Sequence, residues 1–173
     1  MHKENSQEEV IRRNSDLVYR LAFSLVKSKA DADDIYQDVF WQYLRRIPIF
    51  DNEQHEKAWF IRVTVNRCKN HWKSPWMKRR AELHEEAGLY GEARAGEGTV
   101  SMSGEHTAEA EENLALIETV RQLPEKYRVV IHLFYYEEMS VEEIGRITCS
   151  RASTVRTRLT RARRMLKERL GGL

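Results

Sequence analysis

Apolar residues recur at alternating spacings of three and four along much of the chain, the period of a helix with one buried face. Val10, Leu17, Val18, Leu21, Ala22, Leu25 and Val26 form the first run, and Ser6 and Glu9 ahead of it stand at capping-box spacing. A second run, Ile35, Val39, Phe40, Tyr43, Leu44 and Ile47, follows Asp31, which predicts a cap there, and stops at Pro48. The polar stretch from Asp51 to Glu56 predicts a loop. A third helix is predicted from about Glu56 to Trp72, with Ala58, Ile61, Val65, Cys68 and Trp72 as its core face. Three helices with one apolar face each predict a small bundle.

The C-terminal third repeats the pattern. Leu114, Ile117 and Val120 predict a helix ending near Leu123 and Pro124, and a second runs from Glu125 through Tyr127, Val130, Ile131 and Phe134. Ser140 and Glu143 stand again at capping-box spacing, before Val141, Ile144 and Ile147. The last helix carries Val155, Leu159, Ala162, Leu166 and Leu170. No segment alternates with period two for long enough to predict a sheet. The fold class is therefore all-α.

Composition changes this picture in one place. Residues 81–112 hold nine glutamates against one arginine, and five of the eight glycines. No apolar period survives there, so residues 77–112 read as a flexible acidic linker between two small helical domains, 1–76 and 113–173. The net charge of +2 conceals this segregation of acid from base. The N-terminus is polar, and the longest apolar run, Val129 to Tyr136, is short and interrupted by His132, which predicts no membrane insertion and a cytoplasmic protein. Cys68 and Cys149 stand far apart without metal-ligand spacing, so neither a zinc site nor a disulfide framework is expected.

Candidate chemistry lies on two helix faces. From Arg151 to Arg169 there are eight basic residues and one acid, Glu168. With Val155, Leu159, Ala162 and Leu166 facing inward, Ser153, Thr157, Thr160, Arg161 and Arg164 face outward, with Thr154 and Arg156 on the flanks. A short capped helix, a tight turn and a long basic helix form a helix-turn-helix pattern. Its arginines suit guanine edges in the major groove, and its hydroxyls suit phosphates. A solvated cationic surface is the plainer reading of the same face. The second stripe is Trp59, Arg62, Asn66, Lys69 and Lys73, an aromatic followed by basic groups, which suits a single strand. It reads equally well as packing tryptophans with solvent-facing lysines.

These motifs carry a resemblance. ADADDIYQDVFWQYLRR resembles the sigma-factor region that docks on the β′ coiled coil of RNA polymerase, and AWFIRVTVNRCKNHWK is similar to the adjoining region that reads the −10 element. VRQLPEKYRVVIHLFYYEEMSVEEIGRI with STVRTRLTRARRML resembles the fourth sigma region, which reads the −35 element. The chain thus resembles extracytoplasmic-function (ECF) sigma factors of the sigma-70 family. The resemblance implies two helical domains, a region 2-like bundle of three or four helices and a region 4-like helix-turn-helix domain. It implies polymerase docking by Asp34, Gln37, Asp38 and Phe40. It implies −10 contacts by Trp59, Arg62, Asn66, Lys69, Asn70 and Lys73, and a base-pocketing loop at Phe50 to Lys57. It implies −35 contacts by Thr154, Arg156, Thr157, Arg158, Thr160, Arg161 and Arg164. The partners implied are core RNA polymerase through its β′ coiled coil and β flap, promoter DNA and an anti-sigma factor, with no cofactor, metal or catalytic residue.

One position departs from the family. Where members commonly carry glycine or asparagine in the turn, this chain has Cys149, followed by Ser150 and Arg151. A β-carbon is costly in a left-handed conformation, so the turn is expected to close differently, with Ser150 as the helix cap. The alternative function is a helix-turn-helix repressor independent of polymerase, which accounts for the C-terminal half but gives the Asp34 to Phe40 strip and the Trp59 to Lys73 stripe no task. An enzyme is not expected, since no HExxH, glycine-rich phosphate loop or nucleophile–base pair is present.

Overall fold

The computed structural model describes residues 2–75, 79 and 108–171. The described residues form helices α1 (His2–Val26), α2 (Lys29–Arg46) and α3 (Glu53–Lys73), then α4 (Ala108–Arg121), α5 (Glu125–Tyr135), α6 (Val141–Thr148) and α7 (Ala152–Leu170). They divide into two compact units, α1–α3 and α4–α7. Most of the acidic tether expected at 77–112 lies outside the described residues, but its last five residues, 108–112, are helical and open α4.

In the first unit α1 packs on both α2 and α3. Val18, Leu21, Ala22 and Leu25 of α1 are fully buried, as are Val39 of α2 and Phe60, Ile61, Val65 and Cys68 of α3. Burial of this much side-chain surface is the principal force holding the bundle, at about 1.5–3 kcal/mol for each large apolar side chain. One polar network crosses the core. Buried Glu56 accepts from Arg13 Nε at 3.0 Å and Nη2 at 2.8 Å, and from the side-chain amide of buried Asn14. This tie fixes the start of α3 against α1.

Helix boundaries differ from expectation at three points. α1 begins at His2, so Ser6 lies inside it and is no cap. Ser28, not Asp31, caps α2, accepting the Asp31 amide, while the Asp31 carboxylate turns to His71 Nε2 at 3.3 Å and joins α2 to α3. α3 starts three residues before Glu56, because Asn52 accepts the His55 amide at 2.8 Å and Glu53 and Glu56 supply first-turn acids. The loop therefore lies at 47–52, four residues earlier than the expected Asp51 to Glu56. Two residues also leave the expected core. Ile47 is left-handed at φ 41° and half exposed at the end of α2, and Leu44 is exposed beside it.

The second unit is arranged around α7, against which α4, α5 and α6 all pack. Its core is Val120, Leu123, Val130, Leu133, Ile144, Ile147, Val155, Leu159 and Ala162. Buried Arg128 closes the α4–α5 turn, its Nη1 donating to the carbonyls of Arg121 and Leu123, both at 2.8 Å. Of the stripe expected on α4, Val120 is buried while Leu114 and Ile117 are exposed, because only the C-terminal end of that stripe faces the core.

Candidate nucleic-acid interface

The helix-turn-helix is built from local rules. Ser140 and Glu143 close the expected capping box: the Glu143 carboxylate accepts the Ser140 amide at 2.8 Å, and the Ser140 hydroxyl accepts the Glu143 amide at 3.3 Å. The Ser140 hydroxyl, then its backbone amide, holds the Glu143 carboxyl below the ordinary carboxylate range. A carboxyl depressed in the fold contributes stability that is complete above its unfolded value and is lost as pH falls through the folded one. Ser140→Ala is therefore expected to cost about 1 kcal/mol at neutral pH. It should also remove part of the acid-side loss of stability, as denaturant melts at pH 3 to 7 would reveal.

At the turn, Cys149 is left-handed, with φ 53° and ψ 43°. The expectation that the turn would close differently is wrong, because backbone pairing outweighs the strain: the Cys149 and Ser150 amides both donate to the Gly145 carbonyl. Nor does Ser150 cap α7. Arg151 occupies the cap position without a side-chain hydrogen bond, and the Ser150 hydroxyl accepts from Arg158 Nη1 at 3.1 Å. Gly145 makes the close crossing of α6 and the turn possible. A β-carbon there would lie 2.8 Å from the Ser150 carbonyl oxygen.

On α7, Val155, Leu159 and Ala162 are buried, while Arg156, Thr157, Thr160, Arg161 and Arg164 are exposed. Thr154 and Arg158 are half-buried. Arg156 pairs with Glu142 at 3.0 Å, and Arg164 lies 3.7 Å from Glu168. Exposed pairs of this kind are worth about 0.2–1 kcal/mol, so neither ties its arginine down firmly. The Thr157 and Thr160 hydroxyls donate to the carbonyls of Ser153 and Arg156, and must release them to donate elsewhere. Arg163, beside this face, donates to the Tyr135 hydroxyl at 2.7 Å and lies over the Phe134 ring.

In the first unit Arg62, Asn66, Asn70 and Lys73 are exposed within one arc of α3, and Lys69 is half-buried in the same arc. Trp59, half-buried, meets Tyr43, Phe50 and Phe60 edge-on. It anchors the α2–α3 corner more than it offers a free stacking face. The expected base-pocketing segment, Phe50 to Lys57, is mostly helix, and Phe50 belongs to that aromatic cluster. Ile49 is the most exposed large apolar side chain of the corner, at 91%.

Asp34, Gln37 and Asp38 share an exposed face of α2. Phe40 does not share it: only 7% exposed, it packs on Tyr36 and Phe60 behind that face. Trp41 does share it, at 63% exposure, and the periodicity offered a signal, since it lies seven residues after Asp34. Arg67 of α3, which no motif singled out, donates to Gln42 at 2.9 Å and lies 3.8 Å from Asp38. Among the described residues no cluster of three or more candidate ligands for a metal occurs, and no helix is long and apolar enough to cross a membrane.

Comparison with known proteins assigns both units. Residues 10–77 match Sigma-70 region 2, and residues 113–166 match Sigma-70, region 4. The chain belongs to the sigma-70 family. Within it, the chain is similar to the ECF RNA polymerase sigma factor SigW of Bacillus subtilis, 29% identical over 91% of this chain and 85% of that protein. It is also similar to the RNA polymerase sigma factor SigV of the same species, at 28% identity over 88% of this chain and 83% of that protein. In fold it resembles the sigma factor RpoE of Bartonella quintana, solved with the anti-sigma factor NepR. That match has a TM-score of 0.64 and 23% identity, and covers 98% of each chain. The chain is thus an ECF sigma factor, a transcription initiation factor that binds core RNA polymerase and directs it to promoters. A repressor working without polymerase leaves the region 2 match without an explanation.

Proposed function

We propose a division of labour within the chain. Residues 1–76 dock on the β′ coiled coil of core polymerase and capture the unwound −10 strand. Residues 113–173 read the −35 element, near the β flap, and residues 77–112 join the two. Docking uses Asp34, Gln37, Asp38 and Trp41 on the outer face of α2, with Phe40 holding the helix in place. Arg62, Asn66, Lys69, Asn70 and Lys73 follow the displaced strand along α3. Arg156, Thr157, Thr160, Arg161 and Arg164 enter the major groove, while Thr154 and Arg158 support the helix start. RNA synthesis itself is left to polymerase, so the chain needs neither cofactor nor catalytic residue, and its place of work is the cytoplasm. The Bartonella relative is bound by an anti-sigma factor, and we infer the same kind of partner here.

The observation that carries this reading is the exposure of five polar or basic side chains on α7 directly behind a closed capping box and turn. In a −35 library bound by holoenzyme, Arg161→Ala is expected to relax preference at one or two positions, losing about 1–3 kcal/mol for a bidentate base contact. Lys167→Ala, further along the helix, should weaken binding evenly and flatten the salt dependence. Unchanged −35 preferences for Arg161→Ala would remove that residue from the readout.

A further inference from the structure

The start of α5 contributes to the same surface as α7, although it lies outside the helix-turn-helix. Lys126 and Tyr127 line an open pocket of about 270 Å³ together with Ser153, Thr154, Thr157, Arg158 and Arg161. Every other lining residue belongs to the N-terminal half of α7, and no carboxylate is among them. The Lys126 ammonium lies over the Tyr127 ring, 5.1 Å from its centroid. Tyr127 is half-buried, while Arg161 is exposed. A tyrosine anchored at one edge of the pocket thus faces an arginine projecting from the other.

We propose that Tyr127 is a positioning residue for Arg161: its hydroxyl holds the guanidinium at the α5 edge of the recognition helix, in the orientation from which Arg161 meets DNA. This rests on the DNA-reading role given to Arg161 above. Arginine carries five N–H donors in a fixed fork, so one bond to a phenol oxygen leaves the others for a base edge or a phosphate. A long side chain already held near its bound geometry loses less rotamer freedom on binding than a free one. The Tyr127 phenol titrates below its ordinary value, first because Arg161 donates to it. Partial burial opposes that shift, and the charges of Lys126 and Arg161 reinforce it. In sequence, Tyr127 reads only as an apolar position of α5, because its partner is 34 residues away.

The test is a double-mutant cycle on the full chain with core polymerase, using a −35 library as the probe. Tyr127→Phe keeps the ring and removes only the hydroxyl, so its melting temperature should match the parent's. It is expected to weaken cognate binding about threefold to tenfold and to relax the same base positions as Arg161→Ala, whose loss should be about tenfold to a hundredfold. The double variant should bind about as well as Arg161→Ala alone. Arg161→Lys, which keeps the charge and loses the fork, should be nearly insensitive to Tyr127→Phe. Losses that multiply, or relaxation at different positions, overturn the positioning role. Equal or tighter binding by Tyr127→Phe also overturns it, and tighter binding would mean that Tyr127 restrains Arg161 away from DNA. If Arg161→Ala itself leaves every preference intact, the reading of Arg161 has failed and this proposal falls with it. If Arg161→Ala relaxes preference and Tyr127→Phe does not, only the positioning role fails.

Discussion

Asp38→Arg, alone or with Gln37→Ala, is expected to lower the affinity of the chain for core polymerase at least about a hundredfold without unfolding the first unit. The side chain is exposed on the face of α2 shared by Asp34 and Trp41, opposite the buried Ile35, Val39 and Tyr43. Its contact within the chain, to Arg67 at 3.8 Å, is a surface pair worth no more than about 1 kcal/mol, so the bundle barely depends on it. Reversal of charge inside a docked interface costs several kcal/mol, because the new cation faces whatever donors the partner offers to the carboxylate. Co-purification with core polymerase, beside a circular dichroism melt of the free chain, measures both halves of the expectation. A variant that co-purifies as well as the parent would place the docking face elsewhere.

Gly145→Val should destabilise the second unit. Its β-carbon would meet the Ser150 carbonyl oxygen at 2.8 Å, and that neighbour is backbone held by its own turn, so it cannot swing aside as a side chain would. The two γ-carbons of valine add to the clash. Forced overpacking of this kind costs about 1–3 kcal/mol, and here the upper end is expected. For a unit of about 60 residues that lowers the melting temperature by on the order of 15 °C. The turn that sets the angle between α6 and α7 would be displaced as well, so −35 recognition should weaken even below the melting temperature, while binding to core polymerase through the first unit should be unaffected. A variant that melts with the parent would show that the crossing has more room than the structure gives it.

Much of the fold could be read from the chain alone because its determinants are local. The Ser140–Glu143 box, the stop at Pro48 and the stripes of α3 and α7 depend on residues within a turn or two of one another. What escaped that reading depends on partners distant in sequence. Glu56 reads as the edge of a polar loop, yet it is buried and bonded to Arg13 and Asn14, more than 40 residues earlier. Asp31 had the composition of a cap, but Ser28 took that position and His71 took its carboxylate. Phe40 lies in the docking motif, but the burial of its ring against Phe60 removes it from the exposed face of the others. Cys149 went astray for a different reason. A conformational cost is a property of one residue, whereas the bonds that offset it, to the Gly145 carbonyl, belong to the whole turn.

The most direct test of the account is promoter selection in a purified system. Core RNA polymerase would be given a library of random promoter DNA with and without this chain, and the transcripts mapped to their starting bases. The account predicts starts that depend on the chain, lie downstream of two shared sequence elements, vanish with Asp38→Arg, and change their upstream element with Arg161→Ala. Tight, sequence-selective DNA binding by the chain alone, with no new transcript starts when core polymerase is added, would contradict it.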